Sequence, residues 1–219
     1  MAVKMRQRAP IKNGQKRSVE SRAAILAAAE EHFARDGLAG ARTDAIARAA
    51  GVNKAMLYYY FDSKERLFQA VVEEQFRAFS ESSIAILESP GSPKELLIRY
   101  VQHHFDFIEA HRRHADLFQQ MSQGGGKGFT TLVRKFFAPR VDAFRRLIER
   151  GVREGAFRPV DRMHAAVSIT ALVVFYFSAA PILNLLSKTD AYAPSNLKLR
   201  REQVIDFIRF GLFVHPEMP

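Results

Sequence analysis

Residues 43–67, TDAIARAAGVNKAMLYYYFDSKERL, decide the fold. Thr43 suits a helix N-cap, because its hydroxyl can accept a hydrogen bond from a first-turn backbone N–H. Ile46, Ala47 and Ala50 follow at helical spacing, and Gly51 can take the left-handed conformation that ends a helix. Asn53 can cap a second helix, in which Lys54 to Tyr60 combine a cation, small side chains and three consecutive tyrosines. A further helix opens near Ser63. Two short helices about a glycine turn make a helix–turn–helix, whose second helix is set at an angle that lets it enter a DNA major groove.

At these residues the chain resembles the TetR family of transcriptional regulators. The likeness begins at Arg22 with RAAILAAAEEHFARDG and continues through TDAIARAAGVNKAMLYYYFDSKERLF to Phe68. It rests on Ile25, Leu26, Ala29, Phe33 and Gly37, and on Thr43, Ile46, Ala47, Ala50, Gly51, Val52, Leu57, Tyr58, Phe61, Lys64 and Leu67. Many residue types at fixed separations make a more specific signal than a short motif. Asn53 departs from the family, where serine is frequent, and Ala55 departs where glycine is frequent. Both open the recognition helix, so they bear on the DNA sequence read and leave the fold intact. The likeness is residue-specific over the first third of the chain and architectural beyond it.

The 219 residues suit one large or two smaller domains, with the apolar and charged balance of a soluble globular protein. There are no cysteines, which removes disulfides, thiolate metal sites and cysteine nucleophiles and fits a reducing cytoplasm. The opening residues MAVKMRQRAPIKNGQKR contain no apolar stretch of the kind a signal peptide needs. Residues 1–17 hold six Lys or Arg and no acid, and are predicted to form a basic arm before the first helix. Over residues 1–68 there are 13 basic and 7 acidic residues, a net of +6, against +4 for the much longer remainder. Positive charge is thus denser beside the helix–turn–helix, where phosphates would be neutralised and counterions released.

The rest of the chain keeps helical periodicity. Glu20–Asp36 places Ile25, Ala28, Ala29 and Phe33 on one face, and a fourth helix from near Ser63 carries Leu67, Phe68, Val71, Val72, Phe76 and Phe79 inward. Helices are predicted from Pro93 to about His111, in a shorter piece to Met121, from Phe129 to Glu154, from Arg162 to Leu186 and from Asn196 to Val214. No stretch alternates as a strand would, and no repeat emerges. The expected fold is all-α with about nine helices: an arm (1–17), a three-helix DNA-binding domain (18–68) and a larger helical effector-binding and dimerisation domain (69–219).

Residues 165–183, AAVSITALVVFYFSAAPIL, carry no charge and approach the length of a membrane span. Ser168, Thr170, Ser178 and Pro181, with charged flanks, favour instead a helix buried in a core or an oligomer interface. The family resemblance implies the same, because in such proteins the last two long helices pair with their copies in a four-helix bundle. The stripe Val204, Ile205, Ile208, Leu212 and Phe213 is expected to join that dimer contact through residues 162–187 and 196–214.

Other features invite chemistry but lack its full complement. His103, His104, His111 and His114 lie close together, with Asp106 and Glu109 nearby, yet metal sites need a coherent ligand set and second shell; solvated or capping histidines are the plainer account, and no metal or cofactor is expected. The GGGKG run at 124–128 lacks the Ser/Thr and preceding strand of a phosphate loop, and reads as a flexible connection. No catalytic spacing accompanies the serines, so an enzyme has no residues to rest on.

The favoured function is a sequence-specific DNA-binding transcriptional regulator, a cytoplasmic, nucleoid-associated homodimeric repressor released from a palindromic operator by a small apolar or aromatic effector. Lys54 at the recognition-helix N-terminus can reach guanine O6 and N7, and Ala55, Met56 and Tyr58 can contact thymine methyls. Thr43, Tyr59, Tyr60 and Lys64 are placed for phosphates, with one tyrosine engaged in packing. Fifteen of the eighteen phenylalanines follow residue 70, and most must be core. The resemblance implies an effector pocket among these body helices, with Tyr100, His104, Phe107, Phe118, Met121, Phe144, Val174 and Phe177 as its candidate lining. The alternative is a DNA-bound protein whose body recruits a protein partner and binds no small molecule.

Overall fold

The computed structural model describes residues 13–111 and 126–215, which are helical apart from turns and one isolated bridge between Phe157 and Phe213. The chain divides into two compact units, Met1–Val71 and Val72–Pro219. The first holds α1 (Asn13–Gly40), α2 (Thr43–Ala49), α3 (Lys54–Phe61) and the start of α4 (Lys64–Leu87). Helix α1 begins at Asn13, so the last five residues of the predicted basic arm are helical; residues 1–12 lie outside the described residues. Its end is bent by Gly37, at φ 68° and ψ 175°. Ile25, Ala29 and Phe33 of α1 bury with Ile46, Leu57, Phe61 and Leu67, and Phe33 meets Phe68 edge-on at 5.2 Å. Each of the Ile, Leu and Phe side chains contributes about 1.5–3 kcal/mol on burial, which a three-helix unit of this size needs.

The second unit continues α4 and adds α5 (Pro93–Ala110), α6 (Gly126–Leu132), a π-helical turn (Val133–Phe137), α7 (Ala138–Arg153), α8 (Arg162–Ser178), α9 (Ala180–Ser187) and α10 (Pro194–Leu212). Helix α5 starts with a capping box: Ser92 Oγ accepts from Glu95 N, and the Glu95 carboxylate accepts from Ser92 N, with Pro93 in the first turn. Leu96, Leu97, Val101, Phe105 and Ile108 of α5 form the core with Phe144, Leu147 and Ile148 of α7, Ile169, Val173 and Phe177 of α8, and Val204 and Ile208 of α10.

Several sequence expectations need correcting. The GGGKG run is not wholly a loop, because Gly126–Gly128 already belong to α6; the piece to Met121 lies outside the described residues. The predicted helix Phe129–Glu154 widens into the π turn, where Ala138 N–H reaches back to the Val133 carbonyl. Pro139 has no N–H for the Lys135 carbonyl, and the added residue in the turn relieves the misfit. The single helix expected over Arg162–Leu186 is two, bent by 62° about Ala179. Pro181 causes this: it cannot donate to the Phe177 carbonyl, which instead accepts from the Tyr192 hydroxyl at 3.3 Å. Among the described residues no single helix is long and apolar enough to cross a membrane.

The expected dimer stripe on α10 is also corrected. Val204, Ile208, Leu212 and Phe213 are buried in the unit's own core and Ile205 is half-buried. A different α10 face, carrying Leu199, Phe207 and Phe210, stays exposed, as do Met163, Val167 and Phe175 of α8.

The end of α7 provides a stability test. Gly151 packs so closely under Phe157 that an added Cβ would overlap the ring, which itself stacks on Phe213 at 5.4 Å. Gly155 sits at φ 72° with open space around it. Gly151→Ala is expected to cost about 1–3 kcal/mol by overpacking, and Gly155→Ala roughly 1 kcal/mol from backbone strain alone. Thermal unfolding of both variants checks the order; equal losses would mean the Phe157 ring moves aside freely.

Candidate nucleic-acid interface

Helix α2 ends in a Schellman closure. Gly51, at φ 67°, donates its N–H to Arg48 O (3.1 Å), and Val52 donates to Ala47 O (3.0 Å). The chain then reverses into α3, where Asn53 Oδ1 accepts from Met56 N at 2.7 Å. Leu57 and Phe61 are buried, the Phe61 ring under the Arg22 guanidinium at 5.2 Å. That anchoring leaves Ala55, Met56, Tyr58 and Tyr59 on the exposed side of α3; Tyr59 is 81% exposed.

The other predicted DNA-facing residues have partners within the unit. Lys54 pairs with Asp44 of α2 at 2.8 Å. The Asp44 carboxylate holds the Lys54 ammonium above the usual lysine range, and Lys54 holds Asp44 below the usual carboxylate range. Both groups are in water, so the pair is weak and salt-screened. Thr43 is not the N-cap: Arg42 occupies that position without a side-chain cap, and Thr43 Oγ1 lies 3.3 Å from the Tyr58 hydroxyl, tying α2 to α3. Tyr60 is half-buried and donates its hydroxyl to Ser18 Oγ at 3.0 Å. Lys64 Nζ donates to the carbonyls of Ala39 (3.2 Å) and Ala41 (3.3 Å), pinning the start of α4 to the α1–α2 turn. Sequence reasoning passed over Arg42 and Arg48, both exposed, whose side chains make no hydrogen bond or ion pair among the described residues. Their signal was the excess of positive charge over residues 1–68.

The predicted pocket residues fall into two sets of ring contacts. Tyr100, His104, Phe107 and Phe144 are buried together: Phe79 lies 4.6 Å from both His104 and Phe107, and Tyr100 lies 5.3 Å from Phe144. Phe177 instead packs on Phe105 (5.9 Å) and Tyr192 (6.0 Å), with the half-buried Val174 beside that part of the core. Phe118 and Met121 lie outside the described residues. Three open cavities of about 380, 420 and 300 Å³ are lined by other side chains. Of the histidines, His103 bonds Ser82 Oγ at 2.9 Å and its pKa is lowered by burial, while His111 stacks on Phe107. Asp106 and Glu109 pair with Arg201. Among the described residues no group of three acids or histidines could hold a metal ion.

Comparison with known proteins matches this architecture. Residues 25–71 fit the model of the bacterial regulatory proteins of the tetR family, and residues 93–208 fit the tetracyclin repressor-like C-terminal domain. The transcriptional repressor NicS of Pseudomonas putida is 30% identical over 157 residues, covering 70% of this chain and 74% of that protein. The transcriptional regulator RutR of Escherichia coli is 28% identical over 158 residues, 72% of this chain and 74% of the relative. Among solved structures, the transcriptional regulator FadR of Bacillus subtilis, in complex with stearoyl-CoA, superposes with a TM-score of 0.68 at 19% identity, covering 85% of this chain and 96% of FadR. With both units matched and a capped α3 presenting its exposed face from a glycine turn, the chain belongs to the TetR family and is a DNA-binding transcriptional regulator.

Proposed function

We propose that the protein is a homodimeric repressor that leaves a palindromic operator when a small molecule binds its helical body. The observation that carries the DNA half is the exposed α3 surface of Ala55, Met56, Tyr58 and Tyr59, beside the cations Arg42, Arg48 and Lys54. In this assignment Lys54 exchanges Asp44 for guanine O6 and N7, at little cost because the pair is exposed. Ala55 and Met56 meet thymine methyls, and Tyr59 meets phosphate. Thr43 and Tyr58 share one polar contact, which can turn to a phosphate as a unit. Tyr60 is the packing tyrosine, and Lys64 serves chiefly to position α4.

The homodimer is supported by the row of exposed apolar side chains on α8 and α10, with Phe175, Phe207 and Phe210 each about 67–70% exposed. Effector release is supported by the relative solved with stearoyl-CoA and by α4, one unbroken helix that begins in the first unit and continues in the second. Coupling of roughly 1–3 kcal/mol would change operator affinity about 5- to 150-fold.

Selection of bound sequences from random DNA, followed by titration, tests the assignment. Lys54→Ala is expected to lose about 1–3 kcal/mol on the selected site, relax one base step per half-site, and leave folding stability unchanged. Lys64→Ala is expected to lower thermal stability, since two carbonyls lose their donor, with a smaller and sequence-independent loss on DNA. If Lys54→Ala weakens selected and scrambled DNA alike, base reading by Lys54 is wrong. For the dimer, Phe207→Glu with Phe210→Glu is expected to yield a monomer in sedimentation at micromolar concentration and to abolish tight binding to the palindrome. A wild-type protein that sediments as a monomer would remove this part of the proposal.

A further inference from the structure

Arg140 is a buried cation with no counter-charge paired to it among the described residues. It is only 7% exposed, in the core built by α4, α5 and α7. Its guanidinium carbon lies 4.6 Å from the Phe79 ring centroid and 5.0 Å from that of Phe137, and no ion pair or hydrogen bond of its side chain occurs among the described residues. Two ring faces recover part of the hydration that a guanidinium loses, but they offer its N–H donors, arranged as a planar fork, no acceptor among the described residues. One helical turn beyond Phe79 on α4, the fully buried Ser83 hydroxyl has no hydrogen-bond partner among the described residues. The backbone is also unusual here. The π turn Val133–Phe137 sits directly before Arg140, and its Phe136 carbonyl is held by Ser80 Oγ of α4 at 2.8 Å. Turns of this kind concentrate at functional sites, because they re-aim the side chains that follow.

We infer that this core binds a small organic monocarboxylate, with Arg140 as its anchor. The inference rests on the proposal that the body takes an effector, and it names the chemical class. A carboxylate matches the guanidinium fork with two parallel hydrogen bonds and supplies the missing single negative charge. A phosphate monoester suits the site less well, since it brings nearly two charges to one cation. Phe79 lies against Arg140 and Phe107 packs on Phe79; with the Tyr100–Phe144 pair they are the aromatic groups available to the body of the acid.

The test uses full-length protein and matched probes: benzoate, 3-phenylpropionate and octanoate, each against its neutral amide. Thermal shift and calorimetric titration are run on wild type and Arg140→Met. At least one carboxylate is expected to stabilise wild type while its amide does not, and Arg140→Met is expected to bind that acid at least ~30-fold more weakly. Without ligand, Arg140→Met is expected to melt at or above the wild-type temperature, because an apolar side chain of similar volume replaces an uncompensated charge. A structural clamp would instead show a lowered melting temperature and unaltered carboxylate binding, which overturns the inference. No stabilisation of wild type by any of the three acids, or equal stabilisation by acid and amide, also overturns it. Should Arg140→Met fail to fold, Arg140→Lys keeps the charge, loses the fork and is expected to weaken the acid roughly 10-fold. Operator titrations on the same samples separate this inference from the regulatory proposal. An acid bound through Arg140 that leaves operator affinity unchanged keeps the site and removes the release mechanism. Release by an amide alone keeps the release mechanism and overturns the carboxylate.

Discussion

The reversal at Gly51 is the constraint on which the DNA-facing surface depends. Its positive φ lets two successive N–H groups turn back onto the carbonyls of Arg48 and Ala47, closing α2 after two turns. Asn53 then starts α3 within two residues. A helix of eight residues has little stability of its own in water. It persists because Leu57 and Phe61 are buried against neighbouring helices, and burial of those two side chains fixes its rotation. Once the rotation is fixed, the face left outward is decided, and it is the one carrying Ala55, Met56, Tyr58 and Tyr59. A Cβ at position 51 would meet no atom, so glycine is favoured there by the backbone angle and not by lack of space.

Prolines play the matching part in the second unit. Pro139 and Pro181 each remove one donor from a segment whose hydrophobic spacing would otherwise run on. The chain answers differently at the two places. At Pro181 the helix breaks and Tyr192 supplies the missing donor to Phe177 O, so α9 leaves the core at a steep angle with Leu185 and Leu186 exposed. At Pro139 the helix continues but widens, and Phe136 and Arg140 both face inward. One proline therefore redirects the backbone, and the other redirects side chains.

These differences explain what was legible in the sequence. The glycine closure, the Asn53 cap, the burial of Leu57 and Phe61 and the all-helical body follow from local chemistry, and each is written within a few adjacent residues. Thr43 shows where local chemistry misleads: a good capping residue stands one position too late, and its hydroxyl meets Tyr58, fifteen residues on. The Lys54–Asp44 pair and the Lys64 contacts with Ala39 and Ala41 depend on how α1, α2 and α4 converge, which periodicity does not encode. On α10, two apolar faces compete, and residue type alone could not say which one the chain covers itself. The Val204–Ile208–Leu212 face went inward because α5 and α8 meet it there. Arg140 escaped notice because an arginine in an amphipathic helix is ordinarily a solvent-facing residue.

Lys54 and Arg140 mark two ways a fold can hold a positive charge in reserve. Lys54 keeps a carboxylate within reach in open water, where the pair is screened and its opening costs little. Asp44 thereby orients the ammonium at the start of α3, and its negative charge opposes loose attraction to any phosphate that approaches. Guanine in the proposed register replaces the pair, whereas a phosphate out of register meets Asp44 as well. Arg140 is buried against two ring faces, with no carboxylate paired to it among the described residues. A buried charge of this kind weakens the empty core and strengthens any complex that supplies the counter-charge, so the differential between empty and filled states is large where the site is driest. Such a differential is what any ligand-driven shift of a regulator requires, because a ligand moves an equilibrium only by the difference in its affinity for the two states.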